Sequence, residues 1–449
     1  MGKFSLISGW GRNKFVEAEI YNPLDNNELM HKVISSEKHS LISRGLGRSY
    51  GDSAQLEKKA VIQLNNYSSI ELDIKGSKVT VDAGVSFDQI LQYIVPRGFF
   101  LSVSPGTRFV TVGGAVAADV HGKNHHVDGS FGNNVKNIKL MDGNGEILDL
   151  NPFGNNENSE KFWATIGGMG MTGVILSVTF SLIPITSSLI KVDTQCFIDI
   201  NDLMEKMKIS DEKYQYSVAW VDSMHKSFRG VLTCGNHLSK KDFEKDNNKQ
   251  RLSYNLRPKV KIPNYFPGGF INKLTIKGFN SAWYRKHPKL RENEFQEIGK
   301  YFYPLDAITN WNLVYGSSGF IQYQFAVPNE SSRMIVFALE TLKKISAPSF
   351  LTVLKRFGKS NQAPLSFPID GWTLSIDIPA KTPNLLETLD NLDKQIISEG
   401  GRIYLAKDSR QTSEIFKLAY PRLNDWMKTR EKMDPRNVFM SDSFKRLLS

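Results

Sequence analysis

Cysteine is almost absent. Only Cys196 and Cys234 occur in 449 residues, far apart and outside any CxxC or Cys/His spacing, which excludes a disulfide framework and argues against structural zinc. No stretch reaches about 18 uncharged apolar residues, so no membrane-spanning helix is predicted. The opening MGKFSLISGWGRNKFVEAEI has an apolar stretch too short and interrupted for the core of a secretory signal; the expected location is cytoplasmic, peripheral at the inner face of the cell membrane. GxxxxGK[ST] is missing, and no GxGxxG lies between a strand and a helix ahead of an acidic residue, so P-loop and Rossmann sites are excluded. Zinc fingers, RNP-type aromatic motifs and basic heptads are missing too, and nucleic acid is not an expected partner.

The length exceeds what one hydrophobic core holds, since chains beyond about 250–300 residues divide into domains. With 40% hydrophobic and 23% charged residues the chain reads as globular. Its net charge of +11, from 57 Lys+Arg against 46 Asp+Glu, favours anionic partners such as phosphate-bearing substrates or anionic lipid.

Up to residue 185 short β-branched runs alternate with glycine: HSLISRGLGRSYGD, AVIQLN, KVTVDAGVSFDQI, NIKLMDGNGEILDL and TGVILSVTFSLIPI. Alternation and the DGNGE turn predict strands and a hairpin, while SFDQILQYIVPRG predicts a helix stopped by proline and glycine. From 186 to 401 glycine thins out, helices lengthen, and strands are expected in YSVAWVDS, GFIQYQFAVP and WTLSIDIP. The pattern is α+β, with domains at 1–185 and 186–401 and a C-terminal segment, 402–449, that folds back. Residues 257–289 interleave Lys and Arg with Tyr265, Phe266, Phe270, Phe279, Trp283 and Tyr284, and prolines are expected to break regular structure there. The segment suits a mobile lid, a patch on an anionic membrane, or an excursion whose aromatics pack on the domain beneath.

RGLGRSYGD at 44–52 and PGTRFVTVGGAVAADVHG at 105–122 are rich in small residues, as needed where backbone amides approach a pyrophosphate, and equally as turns between strands. HGKNHH at 121–126 holds three of the eight histidines, but HxxxHH lacks a third ligand of matching type in a clear motif, and no metal is expected.

Taken together, RGLGRSYGD, PGTRFVTVGGAVAADVHGKNHHVDGSFGNNV and GGMGMTGVI at 167–175 resemble the vanillyl-alcohol-oxidase (PCMH-type) FAD-binding superfamily. Within it, VLKRFGKSNQAPLSFPIDGW, GGRIYLAKDSR and YPRLNDWMKTREKMDPRNVFMSD extend the likeness to the decaprenylphosphoryl-ribose 2′-oxidases over nearly the whole chain. The resemblance implies a two-domain PCMH-type fold with a substrate domain built on an antiparallel sheet. It also implies FAD held by Arg44, Gly45, Leu46, Gly47, Arg48, Ser49 and Tyr50 in the first loop. Gly106, Thr107, Val112, Gly113, Gly114 and Ala117 would continue the cradle, with Gly122, Asn124 and Tyr404 nearby and Thr172, Gly173 and Val174 by the adenine half. Covalent flavoproteins of this superfamily carry a histidine or cysteine in the first loop; Arg48, Ser49 and Tyr50 stand here, which implies noncovalent FAD.

For the chemistry, the resemblance implies Lys407 and Tyr50 as candidates for the hydroxyl proton, with His121 beside the flavin, and a substrate pocket of Trp220, Gln322, Gln324, Lys355, Asn361, Ser375 and Lys407. Ser375 replaces the cysteine of the best-known members. Read on its own, Lys407 is better taken as the partner of a nearby acid, such as Asp408, in a salt bridge. Gln322 and Gln324 share one face of a strand, whichever way it points. The implied activity is oxidation of a polyprenyl-phosphoryl ribose to its 2′-keto sugar, with an NAD(P)H-dependent reductase as partner in epimerisation to the arabinose donor for cell-envelope glycan. A sugar-alcohol or aldonolactone oxidase and a noncatalytic flavin-binding subunit are the alternatives.

Overall fold

A computed structural model describes residues 3–154, 156–242, 252–263 and 269–449. Tyr265 and Phe266 lie outside the described residues. Among these, the first 185 residues build two sheets. One runs Lys3–Ser8, Phe15–Tyr21, Ala60–Ile62, Leu41–Ser43 in space, and the other Ile70–Asp73, Lys78–Asp82, Val174–Pro184, Val135–Met141, Ile147–Leu150. Val135–Met141 and Ile147–Leu150 form the DGNGE hairpin, with Met141 opposite Ile147. The helix Phe87–Ile94 starts where Ser86 and Gln89 cap one another reciprocally, and Gly98, at φ 83°, closes the turn that follows it.

The third sheet is antiparallel throughout, in the order Leu290–Glu297, Leu189–Phe197, Gly230–His237, Tyr216–Val221, Thr352–Phe357, Gly371–Pro379, Phe320–Pro328, Arg402–Ile403. Because side chains alternate along a strand, one face carries Tyr323, Phe325, Leu354, Leu374 and Ile376. This face is covered by the helices Ile200–Ser210, Arg333–Lys344 and Leu385–Ser398 through Leu203, Leu339 and Leu389. Each such fully buried side chain contributes about 1.5–3 kcal/mol. The opposite face looks toward the first two sheets.

After Ile403 the chain returns to the first unit. Met440 N donates to Leu41 O, Trp426 Nε1 to Ala164 O at 2.9 Å, and Arg430 to the carbonyls of Met171 and Phe439. Residues 257–289 differ from the sequence expectation, for they contain a 14-residue helix, Lys273–Lys286. The prolines flank it rather than interrupt it, and Asn272 caps it by accepting from Leu274 N and Thr275 N.

One buried carboxylate ties the two units together. Asp119 accepts from Ser130 Oγ (2.9 Å) and Gly132 N (2.9 Å) in its own unit and from Asn361 Nδ2 (2.8 Å) and Ser366 Oγ (2.5 Å) across the seam. Asp119→Ala leaves four donors, three of them on buried residues, without their acceptor, and is expected to cost about 3 kcal/mol or more. Thermal unfolding should then start several degrees lower; an unchanged unfolding curve would show that the clamp is not structural.

Candidate active site

The inner face of the antiparallel sheet carries a block of polar side chains whose placement follows from register. Trp220 lies opposite Val353, Val353 opposite Ser375, and Ser375 opposite Gln324, so these form one row. Lys355 opposite Thr373 lies to one side of it and Gln322 opposite Asp377 to the other. Arg356, next to Lys355, points away and pairs with Asp211 at 3.2 Å. Trp220 turns its Nε1 to Phe350 O at 2.9 Å, which leaves its ring as wall.

His121 reaches this face from the first unit. Its Nδ1 lies 2.9 Å from Lys355 Nζ and its Nε2 3.0 Å from Gln324 Nε2. Gln324 Nε2 also donates to Thr373 Oγ1 (3.2 Å), whose hydroxyl is committed to Phe325 O (2.8 Å). The amide nitrogen therefore faces the ring, and Nε2 accepts from it. Burial and then the charge of Lys355 hold His121 well below the ordinary imidazole range, and burial with the nearby charges of Lys123 and Lys407 brings Lys355 down to about 7.

Lys407 enters from the turn after Ile403. Lys407 Nζ sits 3.8 Å from the centre of the Tyr50 ring, and Tyr50 N donates to Ala406 O at 2.9 Å, so the first glycine loop and the Lys407 turn are bonded together. Gly51 is required here because a Cβ would collide with Asp408 O. Asp408, the acid expected as the salt-bridge partner of Lys407, pairs instead with Arg446 at 3.0 Å. The acid whose charge acts on Lys407 is Asp377, which the sequence reading missed. It is fully buried; Oδ1 accepts from Gln322 Nε2, and Oδ2 has no hydrogen-bond partner among the described residues. Burial pushes the Lys407 amine down and the Asp377 carboxyl up, while their mutual attraction opposes both shifts. Tyr50 is held well above the usual phenol value by burial and then by Asp377, so at neutral pH it donates a hydrogen bond rather than accepting a proton.

The three glycine blocks converge beside this group. A Cβ on Gly45 would strike Thr111 Oγ1, and Met169 N donates to Ala117 O at 2.8 Å. Gly106 faces open space and Gly47 has φ 63°, a conformation that favours glycine. Ser43 Oγ and Ser53 Oγ, on either side of the first loop, are buried without partners among the described residues. Unspent donors beside glycines that leave the backbone open fit the phosphate oxygens of a dinucleotide. A cleft of about 290 Å³ opens there, lined by Trp10, Arg12, Arg44, Leu46 and Gly47. The larger basin of about 590 Å³ at Lys14, Glu57, Lys58 and Lys445 contains none of the site residues.

Other expected cofactor residues are internal supports. Arg44 donates to Ala54 O and Ser8 O, Arg48 to Phe109 O with its guanidinium over the Trp10 ring, and Ser49 O accepts from Trp10 N. Thr107 Oγ1 donates to Asp306 Oδ1 at 2.7 Å. Val112 is buried, Gly113 lies against Ala83, and Gly114 N donates to Thr111 Oγ1. Thr172 bonds Thr165, Gly173 packs on Met141 O, and Val174 begins a buried strand. Tyr404 donates to Ala118 O and its ring lies 5.5 Å from that of His121.

Within HGKNHH, only His121 meets the polar block through its side chain. Gly122 lies against Ser104, Lys123 donates to Tyr301 O, and Asn124 to Ser102 O and Asp128. His125 accepts from Gly358 N, and His126 Nε2 bonds Tyr214 O. Asn361 is spent on the Asp119 clamp rather than on the pocket. Removing the cation in Lys355→Met should raise the His121 pKa part of the way toward the ordinary value of about 6.5. Imidazole nitrogen shifts across pH would read this, and His121 titrating near 6.5 before the substitution would contradict the neutral-ring assignment.

Comparison with known proteins places the chain. A family model described as FAD binding domain matches residues 29–151, and one described as D-arabinono-1,4-lactone oxidase matches residues 317–447. The decaprenylphosphoryl-beta-D-ribose oxidase of Mycolicibacterium smegmatis is 38% identical, covering 98% of this chain and 97% of its own. A Streptomyces coelicolor protein described only as uncharacterized is 30% identical, covering 81% of this chain and 100% of its own. The D-arabinono-1,4-lactone oxidase of Kluyveromyces lactis is 24% identical over 40% of this chain and 37% of its own. Glycine loops that fit a dinucleotide, lying against a half-buried lysine, are what such a flavoenzyme requires, and the chain belongs to the decaprenylphosphoryl-β-D-ribose oxidase family of FAD-dependent oxidoreductases.

Proposed function

We propose that this enzyme oxidises the 2′-hydroxyl of a polyprenyl-phosphoryl-β-D-ribose to the 2′-keto sugar, with FAD bound noncovalently. The observation that carries the reading is Lys407, a half-buried amine above the Tyr50 ring at the junction of the glycine loops and the polar sheet face. Bound flavin supplies a hydride acceptor for the 2′ carbon. The chain's own residues do the rest: Lys407 takes the hydroxyl proton, Tyr50 donates to the sugar, and Gln322 and Gln324 present amides from one strand face. Lys355 meets the phosphodiester, whose negative charge restores the proton that burial disfavours. A separate NAD(P)H-dependent reductase of the keto sugar completes epimerisation toward the arabinose donor.

An aldonolactone oxidase is the second reading, favoured by the match over residues 317–447. Anaerobic mixing distinguishes the two: polyprenyl-phosphoryl ribose should bleach the bound flavin, whereas free ribose and arabinonolactone should not. Bleaching by the lactone alone would reverse the assignment. Lys407→Ala should retain flavin and slow bleaching by about 10²–10⁴-fold, and the rate should fall as pH drops and Lys407 gains its proton.

The substrate's lipid suggests where the protein works. Among the described residues no helix is long and apolar enough to cross a membrane. The helix Lys273–Lys286 buries Ile276 and Asn280 but leaves Leu274, Phe279 and Trp283 exposed, at 81%, 48% and 36%. Lys273, Lys277, Arg285 and Lys286 surround them. Phe279 contacts Phe350, Phe350 stacks on Tyr315, and Tyr315 on Phe320 beside Tyr50, an aromatic path from this surface to the site. Docking of this helix on an anionic bilayer would bring the lipid-linked sugar to that path. Each basic residue near such a surface adds about 1 kcal/mol, so Lys277→Ala with Lys286→Ala should weaken flotation with phosphatidylglycerol vesicles by about 30-fold. Unchanged flotation, or none by the unaltered enzyme, would remove the helix as the docking face.

A further inference from the structure

The loop that carries Tyr50 and the turn that carries Lys407 run side by side, and a side chain from the last helix ties them together. Tyr50 N donates to Ala406 O at 2.9 Å, and the backbone of Gly51 passes so close that a Cβ on it would lie 1.7 Å from Asp408 O. Beyond this contact the side chains of Asp52 and Asp408 both turn to Arg446, on the helix Asp442–Leu447. Arg446 Nη2 donates to Asp52 Oδ1 at 2.9 Å and to Asp408 Oδ2 at 3.0 Å, Nε to Asp52 Oδ2 at 3.4 Å, and Nη1 to Gln411 O. Asp408 is held from its other side too, for Oδ1 accepts from Arg410 N at 3.0 Å and from Gln411 N at 2.8 Å. Two carboxylate oxygens bonded to one nitrogen atom lie within about 6 Å of each other, a separation at which acids repel. Asp52 and Asp408 are buried, so water screens them little, and among the described residues Arg446 is their one ion-pair partner. Without the guanidinium, that repulsion falls between the segments that carry Tyr50 and Lys407. The helix itself is seated by other contacts. Phe444 and Leu447 are fully buried, Phe444 packs on Phe416 and Trp426, and Asp442 N donates to Gln55 O at 2.9 Å.

We propose that Arg446 is a positioning residue of the oxidation: by bridging Asp52 and Asp408 it holds the Tyr50 loop against the Lys407 turn and so sets the placement of Lys407 over the Tyr50 ring. The inference rests on Tyr50 and Lys407 handling the sugar hydroxyl as proposed above, and Arg446 acts through them rather than on the sugar. Lys407 Nζ lies 3.8 Å from the centre of that ring. A displacement of about 1 Å in a reacting group is enough to slow a reaction by about 10²-fold, so a strut outside the site has leverage on the rate. The planar fork of arginine suits the task, since it serves two carboxylates and a carbonyl at fixed angles. The compact ammonium of a lysine neutralises charge without that geometry.

The test compares Arg446→Met, Arg446→Lys and the double variant Arg446→Met with Asp52→Asn against the unaltered holoenzyme in anaerobic flavin reduction by polyprenyl-phosphoryl ribose. Arg446→Met should keep its flavin and lose about 10²-fold in limiting rate, while the half-saturating substrate concentration changes by less than about threefold. Asp52→Asn, which removes the repulsion, should return part of the rate, and Arg446→Lys should fall between Met and the unaltered enzyme. A second readout needs no substrate. The ring current of Tyr50 moves the ¹Hε signal of labelled Lys407 upfield of solvated lysines; this displacement should shrink in Arg446→Met and recover in part in the double variant, with Lys407→Met assigning the signal. An unmoved Lys407 signal, or an unchanged limiting rate per bound flavin, would overturn the proposal even if thermal unfolding began earlier, because Arg446 would then be a structural tie alone. If Arg446→Met does not fold, Arg446→Lys decides on the same two readouts. Failure of the unaltered enzyme to be reduced at all would instead refute the functional reading, and the Lys407 signal would still test the strut.

Discussion

Withdrawal of ionisable side chains from water, without matching counter-charges, is the constraint on which the site depends. Lys355, Lys407, His121 and Asp377 meet at the seam between the glycine-rich unit and the inner face of the antiparallel sheet, and burial is the leading cause of the shift in each. Elsewhere the chain neutralises buried charge in the ordinary way, as Asp119 does with four donors and Arg446 with Asp52 and Asp408. At the seam it does not. Lysines near neutrality can exchange protons with a substrate, whereas solvated lysines at about 10.4 hold theirs.

This constraint explains why two units are needed. The antiparallel sheet spends one face on its helices and offers the other as a flat, polar-studded wall. The wall becomes a site only when the first unit brings His121 and Tyr50 against it and the C-terminal segment brings Lys407. The Asp119 clamp and the return of Leu423–Met433 and Asp442–Leu447 to the first unit hold this closure. Tyr50 and Lys407 are 357 positions apart in sequence, yet the backbone bond from Tyr50 N to Ala406 O places their turns together.

Much of this was legible in the residues, where local pattern and structure coincide. Alternation in GFIQYQFAVP put Gln322 and Gln324 on one face, and DGNGE marked its hairpin. The same alternation, carried two residues beyond Ser375, reaches Asp377, but nothing local says that its oxygen will be left without a partner. Asn361 lies in a loop, where no period predicts direction, and its amide went to the clamp. The helix Lys273–Lys286 was hidden because its flanking prolines read as breakers while its start signal, Asn272 with Thr275, is a short cap. Pairing of Asp408 with Arg446 instead of Lys407 depends on where the last helix docks, which is a tertiary fact.

The central claim is that burial brings the amines of the candidate site into the neutral range, and the most direct measurement is the titration of individual lysines in the holoenzyme, read from the ¹³Cε and ¹Hε shifts of labelled lysine. Lys355 should titrate near 7 and Lys407 well below the ordinary lysine range, with each signal assigned by its loss in the corresponding Met variant. Both lysines titrating at about 10.4, as solvated amines do, would contradict the account.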